Sequence, residues 1–199
     1  MTGSATRTDT GLIERDRSCL VVIDVQKFFL DKLPLDQRQP LVGRIAWAMW
    51  VATALSIPII ATAEDIARDG PLVPELVALL PNGQTVFNKM VFDLAGQPDI
   101  RAAIKATVRD TFVLVGLETD VCVAHSAIGL RGLGHRAVVI SDATGSPPPH
   151  HQAGLARLRD AGIEVLTLKG LYYEWVRDLA THARVKAAIN QPLPPGLTL

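Results

Sequence analysis

Cys122 lies in Gly116-Leu117-Glu118-Thr119-Asp120-Val121-Cys122-Val123, where an apolar run gives way to helical spacing. A thiol at a helix start faces unpaired backbone N–H groups and the positive end of the helix dipole, and both favour thiolate over thiol. A free Cys titrates near ~8.5, so such a shift suits a nucleophile working at neutral pH. Lys89 follows the short run Thr85-Val86-Phe87-Asn88 and can bring positive charge beside the sulfur, while Asp24 ends Cys19-Leu20-Val21-Val22-Ile23-Asp24 and can exchange a proton. Each also has a plainer use. Cysteine packs as a small hydrophobe, aspartate caps helices, and a lone lysine is usually solvated. Asp24 stands out, because an unpaired charge closing a buried run is costly.

These side chains need a scaffold that gathers positions 24, 89 and 122. Residues 19–25 are continuously apolar up to Asp24, which indicates a strand covered on both faces rather than one. Further runs of strand length occupy 58–62, 85–88, 111–116, 137–140 and 163–167. Leu41, Ile45, Met49, Ala52 and Leu55 recur at helical spacing, predicting an amphipathic helix over 37–55. Pro98 and Asp99 are start signals for a helix carrying Ile100, Ile104 and Val108 on one face. Helices over 120–133 and 152–161, and a helical remainder to Asn190, complete the alternation. The pattern is α/β: three α-β-α layers around a mostly parallel six-stranded sheet, Rossmann-like, with right-handed crossovers. Ligands in such sheets bind beyond the strands' carboxyl ends, where the strand order reverses. That rule selects Asp24, the Asn88-Lys89 pair and the segment from Leu117 to Cys122.

Bulk properties narrow the classes. The 199 residues suit one domain, and 48 % hydrophobic with 20 % charged content argues against disorder. Lys+Arg and Asp+Glu are 20 each, so no basic excess points to nucleic acid. No apolar run reaches the roughly 18 residues of a membrane span, and Met1–Arg17 has no apolar signal core, which predicts a cytoplasmic protein with reduced thiols. Two cysteines make neither a disulfide framework nor a four-thiolate zinc site. Met1–Arg17 reads as a mobile arm or a segment ordered by a neighbour, 18–190 as the domain, and 191–199 as a C-terminal tail.

Taken together, the segments resemble the isochorismatase-like cysteine hydrolases, which include nicotinamidases and related amidases. The matching pieces are Ile23-Asp24-Val25-Gln26, Lys89, the stretch from Gly116 to Val123, and Gly134-His135-Arg136-Ala137-Val138-Val139-Ile140-Ser141-Asp142-Ala143. They span Cys19 to Leu168. The resemblance implies the isochorismatase-like hydrolase fold and a triad of Asp24, Lys89 and Cys122. It also implies a cis Leu117–Glu118 peptide that presents the backbone N–H groups of Glu118 and Cys122 as an oxyanion hole. The implied reaction cleaves a C–N bond of a small amide or carbamoyl compound through a thioester, with Asp24 moving every proton. The family's name-giving reaction, protonation of a vinyl ether by Asp24, needs no cysteine; Cys122 therefore favours the amide. Nicotinamidases carry an Asp/His/His metal site after the second strand, whereas this chain has Thr62-Ala63-Glu64-Asp65-Ile66-Ala67. Glu64 and Asp65 are then solvated loop carboxylates, and neither metal nor cofactor is expected. The family also implies a homo-oligomer acting on a small molecule, with no membrane or nucleic-acid partner.

Secondary candidates fall around this set. Gln26 is a candidate substrate contact, and Phe29, Phe92 and Leu117 are candidate pocket walls that also fit ordinary core. His125, three residues beyond Cys122, permits a Cys–His pair but points along the helix and suits structure. His150 and His151 follow a triple proline and are candidate gates. Tyr172, Tyr173 and Trp175 read as packing. A non-catalytic scaffold and a thiol redox sensor are the alternatives from other classes; a dinucleotide site is excluded because no Gly-x-Gly-x-x-Gly follows the first strand. Cys19 begins the strand that Asp24 ends, about 16 Å away at ~3.3 Å per residue, so it is expected to be buried and inert. Peptide mapping after iodoacetamide treatment of the folded protein should leave Cys19 unmodified; selective labelling there would contradict its placement.

Overall fold

The structure is a computed structural model that describes residues 11–199. Three strands whose every residue is buried, β1 (Ser18–Ile23), β2 (Ile59–Glu64) and β4 (Thr111–Leu117), form the middle of a six-stranded sheet. Continuous hydrophobicity is what a strand covered on both faces requires. β3 (Val86–Lys89), β5 (Arg136–Gly145) and β6 (Glu164–Leu166) complete it in the order β3-β2-β1-β4-β5-β6, with every pairing parallel. The expected fold class is the one observed.

Helices cover both faces. In chain order they are α1 (Lys27–Leu30), α2 (Leu35–Ala54), α3 (Ile66–Asp69), α4 (Pro74–Val77), α5 (Pro98–Ala106), α6 (Ala124–Gly132), α7 (His150–Asp160), α8 (Leu168–Val176) and α9 (Leu179–Ile189). Apolar residues of α2, α4, α8 and α9 pack with Leu20 and Val22 on one face, and those of α5, α6 and α7 pack with Cys19, Val21 and Ile23 on the other. Two of the expected aromatics pack, Tyr172 against Trp47 with ring centroids 5.1 Å apart and Trp175 with its ring N–H donating to Ser18 Oγ at 3.0 Å, whereas Tyr173 is exposed and stacks on His182.

Several boundaries differ from the sequence reading for identifiable reasons. β2 runs two residues past Thr62, because Ala63 and Glu64 still pair with Asn88 and Lys89 of β3. The helix expected over 120–133 starts as a wider, π-type turn over Thr119–Val123 before α6. The helical remainder breaks between α8 and α9, where Arg177 takes φ 65° and Asp178 caps the Thr181 N–H at 2.7 Å. Residues 1–10 of the expected arm lie outside the described residues. Its following part is docked: Ile13 is buried and its N–H donates to Glu174 Oε2 at 2.6 Å. Of the expected tail, Leu197 is buried in the core.

The strand order reverses between β1 and β4, where Ile23 faces Gly116. Gly116 has φ +120°, and a Cβ there would stand 2.0 Å from the Ile23 carbonyl oxygen. Only glycine lets β4 come this close to the strand that carries Asp24. Gly116→Ala should therefore lower unfolding stability by about 3 kcal/mol, from backbone strain together with overpacking. Urea titration at unchanged m-value measures it, and a loss under about 1 kcal/mol would show that the two strands move apart cheaply.

Candidate active site

Asp24 follows β1 with its backbone in the left-handed region, φ 50°, a conformation aspartate tolerates better than most side chains. Thr62 Oγ1 donates to Asp24 Oδ1 at 2.8 Å, and Lys89 Nζ lies 2.9 Å from Oδ2. The approach to Oδ2 is an ion pair rather than a well-directed hydrogen bond. Lys89, carried in by β3, is wholly buried. Its Nζ donates to Val91 O at 2.7 Å and to Glu64 Oε2 at 3.1 Å, and lies 3.6 Å from Cys122 Sγ. Cys122 is 2 % exposed, and its thiol donates to Glu64 Oε2 at 3.1 Å. The expected three thus meet within touching distance, and a fourth group, Glu64, meets them.

The cluster sets two carboxyl groups, a thiol and one ammonium together out of water. Burial pushes the Asp24 carboxyl up, although Lys89 and Thr62 oppose it. Burial alone would lower Lys89, but Asp24, Cys122 and Glu64 outweigh it and hold the ammonium above the ordinary lysine range. Burial, reinforced by the negative charge of Asp24, pushes the Cys122 thiol well up, with Lys89 only partly opposing. This corrects the expectation of a thiolate stabilised at a helix start. The sulfur rests as a thiol, because two carboxylates and a dry surrounding outweigh the dipole. Cys19 is buried, and burial pushes its thiol up to about 12, with the charge of Arg109 only partly opposing, in keeping with an inert residue.

The turn that carries Cys122 is braced from outside. The Leu117–Glu118 peptide is cis, as the resemblance implies. The N–H groups of Val121 and Val123 both donate to Glu118 O, at 3.2 and 3.1 Å. Ser146 Oγ donates to Asp120 Oδ1 at 2.7 Å, and Thr119 Oγ1 shares a 2.8 Å hydrogen bond with His151 Nδ1. A Cβ at Gly154 of α7 would stand 2.8 Å from the Asp120 backbone nitrogen, so α7 is packed directly on the turn. Glu118's side chain pairs with Lys32 at 3.4 Å.

The remaining candidates separate. Gln26 is fully buried, and its amide is spent on backbone: Nε2 donates to Glu64 O and Gly70 O at 2.7 Å each, and Oε1 accepts from Glu64 N at 2.7 Å. It positions Glu64 instead of reaching towards substrate. Phe29 and Leu117 are buried in the core. Phe92 is exposed, edge-on to His125 at 6.3 Å between centroids, and lines a cavity of about 140 Å³ with Glu64, Lys89 and Met90. His150 is exposed, whereas His151 is bonded to the nucleophile turn. A cavity of about 330 Å³ lies between α2 and β5 and borders none of Asp24, Glu64, Lys89 or Cys122.

Glu64 is what sequence reasoning missed. It was read with Asp65 as a solvated loop pair, but the extra residues of β2 aim it inward and leave Asp65 3.8 Å from Arg68. The available signal was the one used for Asp24, a carboxylate closing an apolar strand. Donor atoms of Asp24, Glu64 and Cys122 lie within 4.8 Å of one another, a spacing that fits a cation, and the Lys89 ammonium already contacts all three. The raised thiol has a direct readout. Alkylation of Cys122 by iodoacetamide should be slow at neutral pH and still rising beyond the ~8.5 midpoint of a free thiol; a plateau at or below that point would mean the sulfur rests as thiolate.

The sequence profile of the isochorismatase domain matches residues 18–170. Isochorismatase domain-containing protein 2A of Mus musculus is 30 % identical over 197 residues, covering 96 % of this chain and 91 % of that protein. In three dimensions, YcaC of Pseudomonas aeruginosa, solved with hexane-2,5-diol and covalent acrylamide, superposes with a TM-score of 0.81 at 24 % identity, covering 92 % of each chain. The ycaC gene product of Escherichia coli, described as an octameric hydrolase of unknown specificity, superposes with a TM-score of 0.78 at 23 % identity, over 94 % of this chain and 92 % of that one.

Proposed function

The chain belongs to the isochorismatase domain family, and on that premise we propose that it is a cysteine-dependent hydrolase cleaving a C–N bond of a small amide or carbamoyl compound. The observation that carries this reading is a buried thiol held 3.6 Å from the Lys89 ammonium, which in turn sits 2.9 Å from Asp24. A merely structural cysteine has no use for a dry ion pair beside it.

Because the sulfur rests protonated, attack and deprotonation occur together. Cys122 Sγ bonds to the carbonyl carbon while its proton passes to Asp24. The carbonyl oxygen becomes an oxyanion that accepts hydrogen bonds from the Glu118 and Cys122 N–H groups; one such donor contributes ~3 kcal/mol in comparable sites. The C–N bond then breaks, and Asp24 returns its proton to the leaving nitrogen. Water opens the resulting thioester, releasing the acid and restoring the thiol. The raised Asp24 carboxyl suits this proton traffic, and Lys89 keeps charge beside it throughout.

The same raised carboxyl favours a second reading, in which protonated Asp24 donates to a vinyl ether and the cysteine stands by. Assembly into a homo-oligomer belongs to the main reading, supported by the octamer of the E. coli relative. Among the described residues no helix is long and apolar enough to cross a membrane. Cys122→Ala and Asp24→Asn should each abolish turnover of an amide and carbamoyl library with the fold intact by circular dichroism, and Lys89→Ala should come close. Intact-mass analysis during turnover should detect an acyl adduct on the wild type that is absent from Cys122→Ala. Full activity of Cys122→Ala would dismiss covalent catalysis and promote the ether-cleaving reading.

A further inference from the structure

We propose that Glu64, not Asp24, is the carboxylate that activates water to open the thioester, an inference that rests on the cysteine-hydrolase reading above. The two carboxylates are placed differently. Asp24 is wholly buried, with Thr62 on one oxygen and Lys89 on the other, and it is not among the residues lining the cavity that Glu64 borders. Glu64 spans the distance between the sulfur and open space. Its Oε2 lies 3.1 Å from Cys122 Sγ and 3.1 Å from Lys89 Nζ, and its side chain lines the cavity of about 140 Å³. Its other oxygen stands 3.4 Å from the guanidinium of Arg68, which is largely exposed. Water that replaces a departed amine enters from this side.

Acylation itself frees Glu64 for the task. In the resting site Oε2 accepts the thiol proton's hydrogen bond. An acylated sulfur has no proton to donate, so Oε2 keeps Lys89 and turns an unused lone pair towards the cavity. The carbonyl carbon is bonded to the sulfur, so a water held by Oε2 reaches it without rearrangement. The water oxygen bonds to that carbon, its proton passes to Oε2, and the C–S bond breaks. Oε2 then gives the proton to the departing sulfur, which restores the resting contact. Gln26 supports the assignment, because its amide clamps both the N–H and the C=O of Glu64 at 2.7 Å each. That fixes the carboxylate's origin on both sides.

p-Nitrophenyl acetate is the probe, since its leaving group needs no proton and its acyl group is small. Wild-type protein should hydrolyse it through Cys122. Glu64→Gln should release a stoichiometric burst of p-nitrophenolate, then turn over about 10²-fold more slowly, the usual size of a lost general base. Intact mass should show the acetyl group retained on Cys122, and hydroxylamine, which attacks thioesters without a base, should restore turnover. Asp24→Asn should instead give no burst. If Glu64→Gln is unstable by thermal melting, Glu64→Asp, which withdraws the oxygen by one methylene, should show the same split. Unchanged steady-state turnover in Glu64→Gln, or loss of the burst itself, overturns the assignment. Absence of any Cys122-dependent acetylation in wild type is a different result, and removes the cysteine-hydrolase reading with it.

Discussion

A fully buried lysine ammonium is the constraint around which this site is organised. Burying such a charge costs several kcal/mol unless close partners compensate. Lys89 finds them in Asp24, Glu64, the Val91 carbonyl and the Cys122 sulfur. Each partner comes from a different segment, so the charge can be satisfied only when β1, β2, β3 and the turn that carries Cys122 are all in register. Folding and assembly of the chemical site are then one event. Burial pushes up the carboxyl of Asp24 and, with the charge of Asp24, the Cys122 thiol, whereas the negative partners of the ammonium hold it above the ordinary lysine range.

The sheet divides the work between its two halves. On the β4–β5 side, the turn that carries Cys122 is clamped by Ser146, just past β5, and by α7 through His151 and the close approach at Gly154. That half is closed by packing. On the β2–β3 side, Glu64 and Lys89 line a small cavity edged by Met90 and Phe92, both exposed. Access therefore comes from the side of the two charged groups, not from that of the sulfur. Gly116 joins the halves by letting β4 lie against the end of β1 closer than any side chain would permit.

Much of this was legible from the chain alone. Continuous apolar runs identified the central strands, and the strand-end rule picked out Asp24, Lys89 and the turn of Cys122 before any coordinates. Those signals are local: a residue's burial and its place in an element are written within a few neighbours. Glu64 escaped because the end of β2 depends on pairing with β3, and the alanine and glutamate that extend the strand are weak strand formers. Gln26 was misjudged for a related reason. Its amide is committed to the backbone of residues about 40 positions away, which no nearby sequence reveals.

The charge state of the sulfur shows the same division most sharply. Local sequence, a cysteine at a helix start, pointed to a lowered thiol; the assembled site raises it. An electrostatic environment is a sum over surroundings in space, and here burial and the sequence-distant Asp24 carboxylate, with Glu64 adding to them, outweigh Lys89. The sequence by itself determined the class of fold, the strand ends that would matter and the three side chains that meet there. Only tertiary structure decided that a second carboxylate joins them, which one meets open space and where the protons rest, because those depend on ångström-scale distances that strand register and helix packing set.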